Sequence, residues 1–233
     1  MWTARVFTLY PEVFPGPLSK GLYGKALAKK IWNIKVVNIR ESAEDKHKTV
    51  DDTPFGGGKG MLMKADVLSK SLDKNVSKSE RIIYLSPKGK KFDQDIAKEL
   101  SKEKILNLVC GNFEGVDERI LETRNIEEIS IGDYILSGGE SASFVIIDAI
   151  LRLLPGVIGN EESKNEESFE NGLLEYPQYT KPQIWEKKSV PNVLISGDHS
   201  KIKDWRLSQS KDITRRRRPD LWKKDLDKEK KWK

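Results

Sequence analysis

Apolar positions come in short runs through the first two thirds of the chain, and their spacing switches between the two regular structures. Residues 4–10 (ARVFTLY) predict a strand rich in β-branched and aromatic side chains. KALAKKIW (25–32) predicts a helix and IKVVNIR (34–40) a strand. RIIYLSP (81–87) is a strongly apolar strand closed by Pro87, DQDIAKELSKE (93–103) is helical, and KILNLVCG (104–111) is a strand that stops at Gly111. VDERILETR (116–124) predicts a short helix and EISIGDYIL (128–136) one or two short strands. SASFVIIDAILRLLPG (141–156) predicts a helix that ends before Pro155. Strands separated by helices predict an α/β fold with a mostly parallel sheet.

Two stretches depart from that rhythm. The helix at 141–156 is apolar on nearly every side, which predicts burial all round or, with equal weight, a subunit interface. GNEESKNEESFENG (159–172) holds five glutamates and one aromatic residue, a composition that cannot build a core and predicts a mobile tether. Beyond it GDHSKIKDWRLSQSKDITRRRR predicts a helix capped by Ser196 or Asp198. The expected organisation is therefore an α/β domain at 1–158, an acidic linker at 159–172, and a small, basic, helical C-terminal domain at 173–233.

Charge sharpens this division. The net charge of +6 hides an uneven distribution. Residues 172–233 carry 17 Lys+Arg against 9 Asp+Glu, or +8, whereas residues 1–171 carry 25 against 27, or −2. A basic excess confined to one end predicts a polyanionic partner. The single cysteine, Cys110, excludes an internal disulfide and fits a reducing compartment, and two histidines make a zinc site unexpected. No apolar run approaches the roughly 20 residues of a membrane span, and the N-terminus lacks the layout of a signal peptide. A cytoplasmic protein without membrane contact is expected.

Candidate chemistry lies in glycine-containing loops that follow apolar segments: LSPKG (85–89), CGNFEG (110–115) and SIGDYILSGGE (130–140). Glycine lets backbone approach a ligand closely, and parallel α/β sheets bind ligands at the carboxyl ends of their strands. No dinucleotide or P-loop fingerprint is present. PFGGGKGM (54–61) follows a polar loop and reads as a mobile loop able to close over a substrate.

Taken in order, DKHKTVDDTPFGGGKGM, YLSPKG, CGNFEGVDER, SIGDYILSGGE, PGVIGN…EESF…GLLEYPQYTKP and VLISGDHSKIKDWRLSQS…TRRRRPDL resemble the successive motifs of the bacterial tRNA (guanine-N(1)-)-methyltransferase (TrmD) family, from Arg5 to Leu221. The resemblance implies the SPOUT class, an α/β fold whose sheet carries a deep trefoil knot. It also implies methyl transfer from S-adenosylmethionine to ring nitrogen 1 of guanosine 37, next to the tRNA anticodon. The implied enzyme is a homodimer with its active site between subunits, and it needs a divalent ion, Mg²⁺ by expectation, whose ligands the sequence leaves unassigned. A different SPOUT RNA methyltransferase and a non-catalytic RNA-binding protein are the competing readings.

By the same resemblance, three loops hold the cofactor. They contribute Tyr84, Leu85, Ser86 and Pro87; Gly111, Phe113, Glu114 and Gly115; and Ser130, Ile131, Gly132, Asp133, Tyr134, Ile135, Leu136, Gly138 and Gly139. Glu167 stands where the family places an aspartate base. Arg152 matches its active-site arginine, which Asp148, one helical turn earlier, is spaced to aim. Asp51, Gly57, Gly58, Ser168 and Glu175 are the implied substrate contacts near the target base. His199, Lys201, Arg206, Arg215 and Arg216 are the implied contacts to the anticodon stem-loop. Asn112 and Phe113 stand where relatives more often carry Arg and Tyr, removing a cation and a hydroxyl. The acidic tether is expected to order only when both ligands are present.

Overall fold

The structure, a computed structural model, describes residues 1–158 and 167–223. Residues 159–166 and 224–233 lie outside the described residues, so the tether expected at 159–172 is described only from Glu167 onward. The chain divides into two compact units, Met1–Gly159 and Asn160–Lys233.

The first unit runs β1 (Trp2–Thr8), α1 (Gly21–Ala28), β2 (Trp32–Asn38), β3 (Asp51–Asp52), β4 (Leu62–Met63), α2 (Ala65–Asn75), β5 (Ile82–Lys91), α3 (Gln94–Leu100), β6 (Ile105–Cys110), α4 (Glu118–Thr123), β7 (Glu127–Ser130) and α5 (Gly139–Leu151). Five strands form one sheet in the order β2-β1-β6-β5-β7, and every neighbouring pair is parallel. β3 and β4 pair separately, antiparallel. The mostly parallel α/β sheet expected from the sequence is present.

Side-chain alternation along the strands explains the layering. In β6, Leu106, Leu108 and Cys110 join a cluster with α1, α3 and α5, while Val109 joins the opposite cluster with α2 and α4. Both faces are covered, as an all-parallel sheet requires. Ile146, Ile147, Ile150 and Leu151 of α5 are fully buried, each contributing about 1.5–3 kcal/mol of transfer free energy. Between the sheet and its end loops, Arg5 donates to Glu80 at 2.5 Å and to Asn107 at 2.8 Å, so these buried polar groups partner one another.

The structure corrects several expectations. α5 is not buried all round, because Val145 remains 48% exposed. Residues 131–136 form no strand. β7 ends at Ser130, and Gly132 takes φ +154°, turning the backbone out of the ladder. α1 starts at Gly21 and ends at Ala28, because Lys30 adopts φ +58° and stops it early. β5 does not end at Pro87; it runs on to Lys91 with a register shift between Leu85 and Lys90. Helix α2 was not anticipated. Its buried residues, Val67, Leu68, Ser71 and Leu72, lie on one face among polar neighbours.

The second unit holds β8 (Ile184–Trp185) and β9 (Lys188–Ser189), an antiparallel hairpin, and α6 (His199–Arg217). Asp198 caps α6 by accepting from Lys201 N at 3.1 Å, choosing between the two expected caps. Among the described residues, the expected helical domain thus holds the long helix α6, helical residues at 219–223, a 3-10 turn at Asn192–Ile195 and a short hairpin.

Candidate functional site

Where β6 and β7 end, and at the register shift inside β5, the chain walls a cavity of about 290 Å³. Such a site at strand carboxyl ends is where parallel sheets hold ligands. β5 supplies Tyr84 and Leu85, still paired in the ladder, and Ser86 and Pro87, which the register shift after Leu85 takes out of it. The β6 loop supplies Gly111 to Gly115, and the β7 loop supplies Ser130 to Gly132 and Tyr134 to Gly139. All the anticipated cofactor residues line this wall except Asp133. Asn112 and Ser137, inside the quoted glycine loops, and Ile129 and Ala142, just outside them, line it as well and were not among the anticipated cofactor residues.

Two loops are knitted into one surface. Gly139 N donates to Gly111 O at 2.9 Å, and Asn112 bridges Gly138 in antiparallel fashion. A Cβ on Gly139 would lie 2.6 Å from Cys110 Cα, so only glycine allows this approach. Phe113 adopts φ +58°, a left-handed conformation that costs a non-glycine residue about 1–2 kcal/mol, and it presents a ring 47% exposed. Strain of that kind concentrates at ligand sites. Beneath the cavity burial, and then the charge of Glu128, push the Tyr84 phenol up to about 12, so it stays protonated.

Asn112 corrects a simple reading of its substitution. It is a buried side chain, and its amide donates to Glu140 Oε1 at 3.2 Å, which also accepts from Thr8 Oγ1 at 2.6 Å. It links the β6 loop to the start of α5. Cys110 lies beside this cluster, fully buried. Burial, and then the Glu140 charge, push its thiol well above the usual range, against a hydrogen bond with Ser143. Native protein at pH 8 is therefore expected to show no thiol reactive to a colorimetric disulfide reagent, and guanidinium-unfolded protein to show its one cysteine. Rapid native labelling would contradict this burial.

The segment after PFGGGKG runs along the β6 loop. Glu114 N donates to Met61 O at 3.0 Å, Met63 N to Gly115 O at 2.9 Å, and Asp117 N to Met63 O at 3.2 Å. Glu114 lies over Gly60, where an added Cβ would fall 2.5 Å from its Cγ. Asp51 pairs with Met63 in the β3–β4 ladder, and Gly57 and Gly58 sit on the exposed turn. Arg152 caps the C-terminus of α5, and its amide donates to Asp148 O at 3.2 Å.

In the second unit, Glu167 begins a hydrogen-bonded turn rather than loose chain. Ser168 Oγ accepts from Glu175 N at 2.9 Å, and Phe169 N donates to Leu173 O at 2.8 Å. Leu174 N donates to Thr214 Oγ1 of α6 at 2.8 Å, tying this turn to the basic helix. On α6, His199 is exposed, and the Arg206 guanidinium lies 4.8 Å from the Tyr176 ring centre. Lys201 pairs with Asp198, while Arg215 and Arg216 share Asp212. These are exposed pairs of little intrinsic worth, so phosphate can compete for the cations.

Among the described residues, no group of three or more His, Cys, Asp or Glu is placed to hold a metal ion, and no helix is long and apolar enough to cross a membrane.

Comparison with known proteins gives this geometry a context. A family profile described as tRNA (Guanine-1)-methyltransferase TrmD matches residues 1–224. The tRNA (guanine-N(1)-)-methyltransferase of Pelagibacter ubique is 77% identical over 224 residues, covering 96% of this chain and 98% of its own length. The protein of the same name from Bartonella tribocorum is 58% identical over 94% of each chain. That from Brucella canis is 56% identical over 94% of this chain and 89% of its own length. A match that runs through both units and every glycine loop of the cavity places the chain in the tRNA (guanine-1)-methyltransferase TrmD family.

Proposed function

We propose that the protein transfers a methyl group from S-adenosylmethionine to ring nitrogen 1 of guanosine at position 37 of tRNA, beside the anticodon. The carrying observation is the cavity at the ends of β6 and β7 and the register shift of β5, walled by sixteen of the seventeen anticipated cofactor residues, all but Asp133. Its backbone-rich wall fits a nucleoside, and Gly111 leaves the room that a Cβ would take from the Tyr84 ring, 2.6 Å away. Bound there, the cofactor supplies a sulfonium methyl group.

The chain's own task is positioning and proton management. Ring nitrogen 1 carries a proton at neutral pH, and Glu167 is proposed as the base that removes it. Arg152 is proposed to face the guanine oxygen, where charge builds as the proton leaves. The target base must leave its stack for either contact. The described residues offer Mg²⁺ no preformed cluster of ligands, so no step here runs through the ion.

The cavity loops are proposed to form the SPOUT trefoil knot, in keeping with β6 lying between β1 and β5 in the sheet. A homodimer is proposed on a patch of the first unit. Phe144 packs on Phe14 with ring centres 4.8 Å apart, and Val13 and Val145 beside them are exposed. The three-part organisation at 1–158, 159–172 and 173–233 and a cytoplasmic location complete the proposal.

Methylation of transcripts carrying guanosine or adenosine at position 37, followed by mass mapping of the product, tests the reading. Methyl on guanosine 37 alone is expected. Methyl on another nucleotide or a ribose oxygen overturns it. The basic α6 should make tRNA binding salt-dependent. Neutralising about five phosphates predicts that affinity falls on the order of a hundred-fold between 50 and 200 mM salt. A flat response removes α6 from the interface.

A further inference from the structure

Arg152 is reached by a residue that no sequence motif marks. Tyr23 lies on α1, 125 residues before Asp148, yet its hydroxyl donates to Asp148 Oδ1 at 2.7 Å. Asp148 sits in the last turn of α5, one turn before Arg152.

We propose that Tyr23 is a positioning residue: by holding the Asp148 carboxylate from a second helix, it fixes the direction in which Arg152 presents its guanidinium to the acceptor base. This rests on the role given to Arg152 above.

Three observations support it. First, α1 is itself held firmly. The Trp32 indole donates to Tyr23 O at 2.9 Å, and at Gly24 an added Cβ would fall 2.1 Å from Ser19 O, so α1 is pressed on the turn before it. Second, Asp148 and Arg152 both act on the Tyr23 phenol. Burial, then the hydrogen bond and charge of Asp148, push the Tyr23 phenol up to about 12, while the charge and hydrogen bonding of Arg152 act in the opposite direction. The phenol therefore keeps its proton at neutral pH and serves Asp148 as a donor. Third, Arg152 is exposed at a helix end, and whatever pairing its spacing four residues after Asp148 allows is by itself a weak tether on an exposed surface. A carboxylate anchored by a neighbouring helix has fewer orientations to offer the guanidinium, and small errors in reacting geometry are expensive.

The test is Tyr23→Phe, which keeps the ring packed on the core and removes only the hydroxyl. The single-turnover rate on guanosine-37 tRNA should fall on the order of ten- to a hundred-fold. The affinity for S-adenosylhomocysteine and the thermal midpoint should stay at wild-type values. In an Arg152→Ala background the same substitution should cost nothing more. A wild-type rate in Tyr23→Phe, or an equal loss in both backgrounds, overturns the proposal.

A second readout needs no catalysis. The Arg152 Nε–H resonance, identified by its disappearance in Arg152→Ala, should exchange faster with water in Tyr23→Phe. An unchanged exchange rate overturns the proposal even if the rate falls. If wild-type protein methylates no guanosine 37, the functional reading fails, and the exchange measurement still decides whether Tyr23 governs Arg152.

Discussion

Replacing Glu167 with glutamine is expected to lower the single-turnover rate of methyl transfer by about two to four orders of magnitude, with affinity for S-adenosylhomocysteine unchanged by calorimetry. Glutamine keeps the size and the hydrogen-bonding shape of the side chain. It cannot take a proton from guanine nitrogen 1, which stays a poor nucleophile. The cavity that would hold the cofactor is built from β5, the ends of β6 and β7 with the loops that follow them, and the start of α5, none of which contains residue 167. Binding and chemistry should therefore separate cleanly. Glu167→Asp should retain activity, because it restores the acid that the family resemblance places here. The turn through Ser168 and Glu175 supplies the backbone that must absorb the one-methylene difference. A glutamine variant with near-normal turnover would move the base to another carboxylate, Glu166 being the nearest along the chain.

Gly139→Ala is expected to damage the cavity itself. The new Cβ would lie 2.6 Å from Cys110 Cα and 3.0 Å from Gly111 N. Both are backbone atoms, so no side chain can swing aside. Either α5 moves off the end of β6 or the loop at Gly111 moves, and each displaces the Gly139 N to Gly111 O hydrogen bond. Overpacking of this kind costs about 1–3 kcal/mol. The thermal midpoint should drop on the order of 5 °C. If the strain falls on the bound state, S-adenosylhomocysteine affinity should weaken roughly ten- to a hundred-fold. A variant with both quantities unaltered would show that the close approach is not needed.

The sequence made the sheet readable because its strands follow simple rules. Residues 4–10, 34–40, 81–87 and 104–111 each contain an observed strand or most of one. Their apolar residues alternate between two covered faces, a pattern that survives without knowledge of the partners. The run Ile131–Leu136 misled for a physical reason. Ile131 packs against the core, but the later apolar side chains do not fill it: Tyr134, Ile135 and Leu136 are 53%, 82% and 41% exposed on a cavity wall. Periodicity cannot distinguish burial in protein from a surface shaped for a ligand. Helix α2 was hidden in the opposite way, with four buried residues scattered in the polar string ADVLSKSLDKN. The three loops were legible as glycine punctuation, but their convergence into one wall needed the strand order. Asn112 read as a missing cation, whereas its amide turns inward to Glu140. The Tyr23–Asp148 contact spans 125 residues and leaves no trace in local spacing.

The cavity has a close-packed back and an exposed front. At the back, Cys110 and Gly111 meet Gly139 main chain to main chain, with no side chain between them to give way. At the front, Tyr134 through Leu136 stand largely in water, outside any ladder. A ligand seated in the cavity would cover these three side chains and take their apolar surface out of water, so this wall itself would contribute to binding.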